Sequence, residues 1–222
     1  MVSVLIPSCN EEYLQKTIDD VLDKAVGDVE VIAVLDGYKP LIRERKNLVL
    51  LHNDKPVGQR QAVNQAARVA KGKYLMKLDA HCMMDSGWDE ILKRDCPYDW
   101  TVVPRMYVLD APNWKPKWRK RTDFMFIRSP YAEEKPFQIE YYDAKCYRAF
   151  PKEYRAYKKA DWRKDAICPT MACIGACFFM HKDRYWELGG MDEGHGHWGQ
   201  MGIEVACKAW LSGGALMVNK NT

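Results

Sequence analysis

No run of the roughly 18 apolar residues that a membrane-spanning helix needs occurs in this 222-residue sequence, and its start lacks the basic, apolar and small-residue regions of a secretory leader. The expectation is a cytoplasmic chain without a membrane span. CxxC pairs are missing as well. The eight cysteines (Cys9, Cys82, Cys96, Cys146, Cys168, Cys173, Cys177, Cys207) are scattered, several inside apolar runs where a thiol packs as a small hydrophobe. Reduced thiols are therefore expected, and the spacing of Cys168, Cys173 and Cys177 fits no common zinc pattern. Internal repeats and low-complexity tracts are absent too. What is present is 47% hydrophobic residues, enough to bury a core in one domain spanning residues 1–222.

The formal net charge of +4 conceals an asymmetry. Residues 101–165 carry 16 Lys/Arg against 9 Asp/Glu, an excess of +7, whereas the rest of the chain sums to −3. A basic middle segment suits an anionic partner, and equally a solvated surface.

Over residues 1–100 short apolar runs alternate with helical patterns. Strands are expected at Val2 to Pro7, Val29 to Leu35, Leu48 to Leu51 and Tyr74 to Leu78. Helices are expected from Glu11 to Lys24, with Leu14, Ile18, Val21 and Leu22 at helical spacing, and from Gln59 to Ala70. Strands joined by crossover helices imply a mostly parallel sheet covered on both faces, an α/β fold. Ligands in such sheets gather at the carboxyl ends of the strands. Those ends carry Asn10-Glu11, Asp36-Gly37 and Asp79-Ala80-His81, although each cluster alone also reads as a turn or helix cap.

From Asp99 to Asp165 aromatic, basic and proline residues suggest long loops over the core rather than regular elements. Regularity returns with one apolar strand expected from Cys168 to about Met180, a glycine-rich turn, a helix from about Gly202 to Leu211, and a strand from Ala215 to Asn219. The sequence stops directly after that strand, so a truncated chain is expected.

Asp79 and His81 alternate on an extended strand end, and the small Ala80 between them leaves room for both side chains to meet a divalent cation. A carboxylate with an imidazole suits Mn²⁺ better than Ca²⁺, with Mg²⁺ as the other choice. Such an ion would bridge diphosphate oxygens and stabilise charge on a departing group.

These segments, taken in order, resemble the GT-A glycosyltransferases related to family 2, and in particular the catalytic domain of the polypeptide N-acetylgalactosaminyltransferases. SVLIPSCNEE, VIAVLDG, the helix from Gly58 to Gly72, KLDAHC, Pro169-Thr170-Met171-Ala172, Leu188-Gly189-Gly190-Met191-Asp192 and Trp198-Gly199 are similar to that family's segments and collinear with them. The resemblance implies a GT-A fold, Rossmann-like, with a mostly parallel central sheet flanked by helices. Residues 1–100 would form the nucleotide-binding half, 101–165 a variable basic and aromatic insert, and 166–222 the donor and acceptor half.

It also implies a metal-dependent transfer of a hexosyl or N-acetylhexosaminyl group from a nucleotide sugar, a UDP-sugar, to a hydroxyl on a protein or glycan. By position, Pro7, Asn10, Glu11 and Asp36 would surround base and ribose, and Arg60 or Gln61 the pyrimidine or phosphate. Asp79, Ala80 and Met171 would complete the donor site.

The family's Trp-Gly-Gly-Glu-Asn stretch stands here as Trp198-Gly199-Gln200-Met201-Gly202, so its acidic position is Met201. Glu204, Gln200 and Trp198 are the catalytic candidates that remain, Glu204 being equally suited to a core-helix salt bridge and Trp198 to an apolar platform or a core aromatic. The family's third metal ligand is a histidine downstream of the helix and Gly-Gly turn, and the sequence reaches only Thr222. The third ligand beside Asp79 and His81 would be His195, His197 or a residue beyond Thr222.

Two other readings stay open. Trp114 to Arg121, WKPKWRKR, interleaves cations with aromatics, as a nucleic-acid acceptor such as a hydroxymethylated base on phage-type DNA would require, or as a solvated loop would show. Alternatively, Met201 and the missing histidine leave a nucleotide-sugar binder without turnover. A sugar-nucleotide-forming nucleotidyltransferase is disfavoured, because no glycine-rich phosphate loop follows the first strand.

Overall fold

The computed structural model describes residues 1–127, 139–141, 159–196 and 199–222. The central sheet has eight strands: β1 (Val2–Ser8), β2 (Val29–Asp36), β3 (Leu48–Asn53), β4 (Tyr74–Leu78), β5 (Trp100–Pro104), β10 (Ile167–Pro169), β11 (Cys177–His181) and β12 (Ala215–Asn219). Their spatial order is β10-β12-β5-β11-β4-β1-β2-β3. The pairings β1/β2, β1/β4, β2/β3 and β5/β12 are parallel, and β11 runs antiparallel between β4 and β5. Since β11 opposes both neighbours, β4 and β5 point the same way, and the carboxyl ends of β1, β2, β4 and β5 share one rim.

Every residue of β2 is buried, as expected of an interior parallel strand covered on both faces. Alternation along the strands sends Leu5, Ile32, Val34 and Leu75 to one face and Val4, Ile6, Val31, Ala33 and Met76 to the other. The first face packs on α2 (Gln59–Val69), whose Ala62, Ala66 and Ala67 let the helix lie close, and on α5 (Met201–Leu211). The second face packs on α1 (Leu14–Lys24), through Leu14, Ile18 and Val21, and on α3 (Trp88–Arg94), through Trp88 and Leu92. A short helix, α4 (Lys182–Glu187), follows β11. No helix among the described residues is long and apolar enough to cross a membrane, and no disulfide joins the cysteines among them.

Two sequence expectations need correction. The apolar run from Cys168 to Met180 is not one strand: β10 ends at Pro169 on the sheet edge, and β11 begins at Cys177 in the sheet interior. Between them Thr170 fixes a loop, its hydroxyl donating to the Ala172 carbonyl at 2.9 Å and accepting from the Met125 N–H at 3.0 Å. Cys173 is buried in that loop rather than in a strand.

Nor is the start of the middle segment irregular. β6 (Met106–Asp110) and β7 (Lys115–Thr122) form an antiparallel hairpin, and β8 (Met125–Ile127) pairs with β9 (Ile139–Tyr141). Pro116 is tolerated because this hairpin is its own two-stranded sheet, with an edge free of ladder bonds. The turn of the hairpin returns to α1. Trp114 stacks on Tyr13 with ring centroids 6.1 Å apart, and its indole N–H donates to Asp20 at 3.3 Å.

Candidate active site

The strand-end turns on the shared rim close around one cavity of about 330 Å³, lined by Pro7, Ser8, Cys9, Glu11, Asp36, Pro56, Gly58, Gln59, Asp79, Ala80 and His81. Each turn is held by residues from elsewhere. After β4, the Asp79 N–H donates to the Ala176 carbonyl at 2.8 Å. Thr17 of α1 donates to the Ala80 carbonyl at 2.9 Å and accepts from the Cys82 N–H at 3.1 Å, so a buried hydroxyl pins the Asp79–His81 turn from behind. After β1, the backbone turns sharply at Asn10, which adopts φ 55°, a conformation that asparagine tolerates better than most residues. That turn presents Glu11 to His81, whose Nδ1 lies 3.2 Å from Glu11 Oε2.

Asp79 is half in the cleft and half in the protein. Its Oδ1 accepts from the Gln59 amide at 3.2 Å and from the buried ammonium of Lys77. No described residue donates to Oδ2. The His81 side chain is 51% exposed, and its Nε2 is clear of the Glu11 contact.

Asp36 lines the cavity and is also bonded within the protein. Its carboxylate is buried and accepts from the Asn53 amide, the Val57 N–H and the Gly58 N–H, each at 2.9 Å. Those bonds fold the segment after β3 over the rim and fix the start of α2. Gly37, φ 79°, permits this closure, since a Cβ there would come within 2.5 Å of Pro56.

The remaining expected site residues lie outside the cavity lining. Asn10 shapes the turn, Gln61 is half-buried one turn into α2, and Met171 is 46% exposed on the loop after β10. Arg60 is only 1% exposed and turns away from the cleft. Its Nε donates to Glu204 Oε2 at 2.7 Å and its Nη2 to the Gly199 carbonyl at 2.7 Å. Glu204 in turn accepts from Lys208 at 2.8 Å and from the Asp192 N–H at 2.7 Å. Burial pushes the Glu204 carboxyl up, but the bonds from Lys208, Arg60 and Asp192 outweigh it and hold the group below the ordinary glutamate range.

One turn further along α2, Asn64 bonds both the N–H (3.0 Å) and the carbonyl (2.8 Å) of Met191. Arg60 thus clamps Gly199, and Asn64 clamps Met191, to α2. Gln200, exposed at φ 55°, starts α5. His195 is exposed in a short 3-10 turn (Glu193–His195). His197 and Trp198, the expected third metal ligand and platform, lie outside the described residues.

Among the described residues no three His, Cys, Asp or Glu side chains gather closely enough to hold a metal by themselves. The two donors present, a carboxylate oxygen and an imidazole nitrogen on the wall of one cavity, fit a borderline divalent ion whose other positions are filled by ligand oxygens and water. Sequence reasoning missed Ser8, Cys9, Pro56, Gly58 and Gln59 in the wall, and Thr17 and Lys77 behind it. The spacing of Gln59, directly after the Gly58 that opens a helix on the rim, was the available signal for one of them.

The sequence model of the family described as "Glycosyl transferase family 2" matches residues 3–189. Human polypeptide N-acetylgalactosaminyltransferase 10 is 27% identical over 96% of this chain and 35% of its own length. Mouse polypeptide N-acetylgalactosaminyltransferase 4 is 29% identical over 98% and 38%. This chain therefore spans little more than a third of the curated relatives it matches. Among solved structures, GalNAc-T7 with UDP, GalNAc and Mn²⁺ superposes with a TM-score of 0.70 at 18% identity, over 99% of this chain and 41% of that one. The mannosyltransferase PcManGT from Pyrobaculum calidifontis, with GDP-Man and Mn²⁺, does so with a TM-score of 0.59 at 15% identity, over 99% and 55%.

Proposed function

The chain belongs to glycosyl transferase family 2, and on that premise we propose that it transfers a sugar from a UDP-sugar to a hydroxyl acceptor on a protein, with a divalent metal, in the cleft of Asp79 and His81. Its architecture is the GT-A fold. What carries the reading is the convergence of three turns, separated by up to 70 residues, on one cavity.

In this reading the nucleotide lies along Pro7 to Glu11 and the Asp36-held segment, and the diphosphate lies toward Asp79 and His81. Asp79 Oδ2 and His81 Nε2 would hold Mn²⁺, which supplies charge stabilisation to the leaving diphosphate. The chain's own contribution is preorganisation. Glu11 accepts from His81 Nδ1–H, which fixes the ring and leaves Nε2 as the free lone pair. Gln59 orients Asp79 from the start of α2, and Thr17 prevents the turn from shifting.

Glu204 is better suited to holding structure than to taking a proton, because its carboxylate is fully engaged by Arg60, Lys208 and Asp192. The UDP and protein-acceptor elements take support from the relatives, one of them solved with UDP, GalNAc and Mn²⁺ and several named polypeptide transferases.

A panel of nucleotide sugars with Mn²⁺, read by released nucleotide, tests the proposal. Turnover of a UDP-sugar is expected. Failure of every nucleotide sugar to bind or turn over would overturn it.

A further inference from the structure

Lys77 has no place in the mechanism above, yet it is fully buried and sits directly behind the candidate metal ligand. It is the penultimate residue of β4 and precedes Asp79, the first residue after the strand, by two positions, so the extended chain turns both side chains the same way. Its ammonium contacts Asp79 Oδ1 and donates to the Gly175 carbonyl at 2.6 Å. Moving an ammonium out of water is costly, and it persists in a core only when an opposite charge and a carbonyl compensate it. Here the compensating charge is Asp79 itself.

The consequence falls on the metal. Asp79 and Lys77 cancel, which leaves Glu11, on the same cavity wall and bonded to His81, as the other carboxylate beside the site. A divalent ion on Asp79 Oδ2 would also stand within a few ångströms of the Lys77 ammonium, at a separation where repulsion is strong even at an effective dielectric constant of about 20.

We propose that Lys77 is an internal counter-ion that competes with the divalent metal for Asp79, so that the free protein holds Mn²⁺ weakly and the metal enters together with the donor diphosphate, whose negative charge restores what Lys77 cancels. Lys77 is on this account a positioning residue that makes metal and nucleotide binding interdependent. The inference rests on the proposed metal and UDP-sugar reading of the cleft.

The test is Mn²⁺ binding followed by the electron paramagnetic resonance signal of free Mn²⁺, with and without UDP, in the wild type and in Lys77→Met, Lys77→Arg and Asp79→Asn. Without UDP, Lys77→Met is expected to bind Mn²⁺ at least ~10-fold more tightly than the wild type. The tightening of Mn²⁺ caused by UDP should shrink, and the tightening of UDP caused by Mn²⁺ should shrink by the same factor, since the two are reciprocal. Lys77→Arg keeps the wild-type behaviour, and Asp79→Asn loses Mn²⁺ in both conditions. Lys77→Gln replaces Lys77→Met if circular dichroism shows that the latter does not fold.

If Asp79→Asn abolishes binding while loss of the ammonium leaves Mn²⁺ affinity equal or weaker, the counter-ion role is wrong and the metal reading stands. If no variant, wild type included, binds Mn²⁺ even with UDP, both fall.

Discussion

Gln59 and Arg60 are neighbours at the start of α2, and they serve two different charged clusters. Gln59 faces the rim, where Asp79, His81 and Glu11 stand on the wall of an open cavity with donor atoms unused. Arg60, about 100° further round the helix, is buried against Glu204, Lys208 and the Gly199 carbonyl, a cluster in which both Glu204 oxygens are bonded. The comparison separates chemistry from architecture: acidic residues occur in both clusters, but only the rim keeps lone pairs directed at space a ligand can fill. Removing an exposed rim side chain such as His81 should abolish function and spare the fold. Removing a member of the clamp should do the reverse.

The largest loss of function is expected from Asp79→Ala. Donor turnover measured by released nucleotide should fall by about 10³-fold, the scale of losing a principal charge-stabilising group; because this variant also strands the buried Lys77 ammonium, the fold is compared in His81→Ala, whose side chain is exposed and whose thermal midpoint should move little. Arg60→Met probes the other cluster. It leaves Glu204 Oε2 and the Gly199 carbonyl without their donor while Lys208 still faces Oε1, which costs about 1–3 kcal/mol, and should lower Tm in a thermal melt by roughly 5 °C. Residual folded protein should retain Mn²⁺-dependent UDP affinity.

Glu204→Gln sharpens the same point through pH. The Glu204 carboxyl titrates below its ordinary value of 4.5 in the fold, so its contribution to stability is complete above that pH and disappears as pH falls through the lower folded value. Urea melts from pH 6 downward should show the wild type losing this contribution on the acid side. The Gln variant should start about 1–2 kcal/mol lower and lose less on acidification.

Trp114→Ala should cost about 1 kcal/mol, the scale of one aromatic pair, by detaching the hairpin turn from α1. Smallest of all, neutralising the exposed Lys115, Lys117 and Lys120 of β7 should leave stability within ~0.5 kcal/mol of the wild type.

The rim was legible in the sequence because it is built locally. Each cluster follows directly on an apolar strand, and parallel topology alone brings strand ends together, so Glu11, Asp36, Asp79 and His81 could be grouped without knowing any contact. The part Asp36 plays in holding the fold was not legible. A carboxylate at a strand end reads as a ligand group alone until the Val57 and Gly58 N–H groups that also bond it are in view.

The clamp was hidden for a related reason. Arg60 and Glu204 are 144 residues apart, and which of two adjacent residues faces the cleft depends on the rotation of α2, which a pattern of small apolar residues does not specify. Lys77 was invisible as a charge because it sits in a strand that otherwise reads as core. The β6–β7 hairpin was obscured by proline and cations that are tolerated in a two-stranded ribbon and would not be in a central strand.

Calorimetric titration of UDP in the presence of Mn²⁺ compares the two clusters on one scale. The account predicts one UDP site on the wild type and on folded Arg60→Met, with affinity reduced at least ~10-fold in His81→Ala and Asp79→Ala. Undiminished UDP affinity in both rim variants, with loss in Arg60→Met, would place the nucleotide site at the clamp and contradict it.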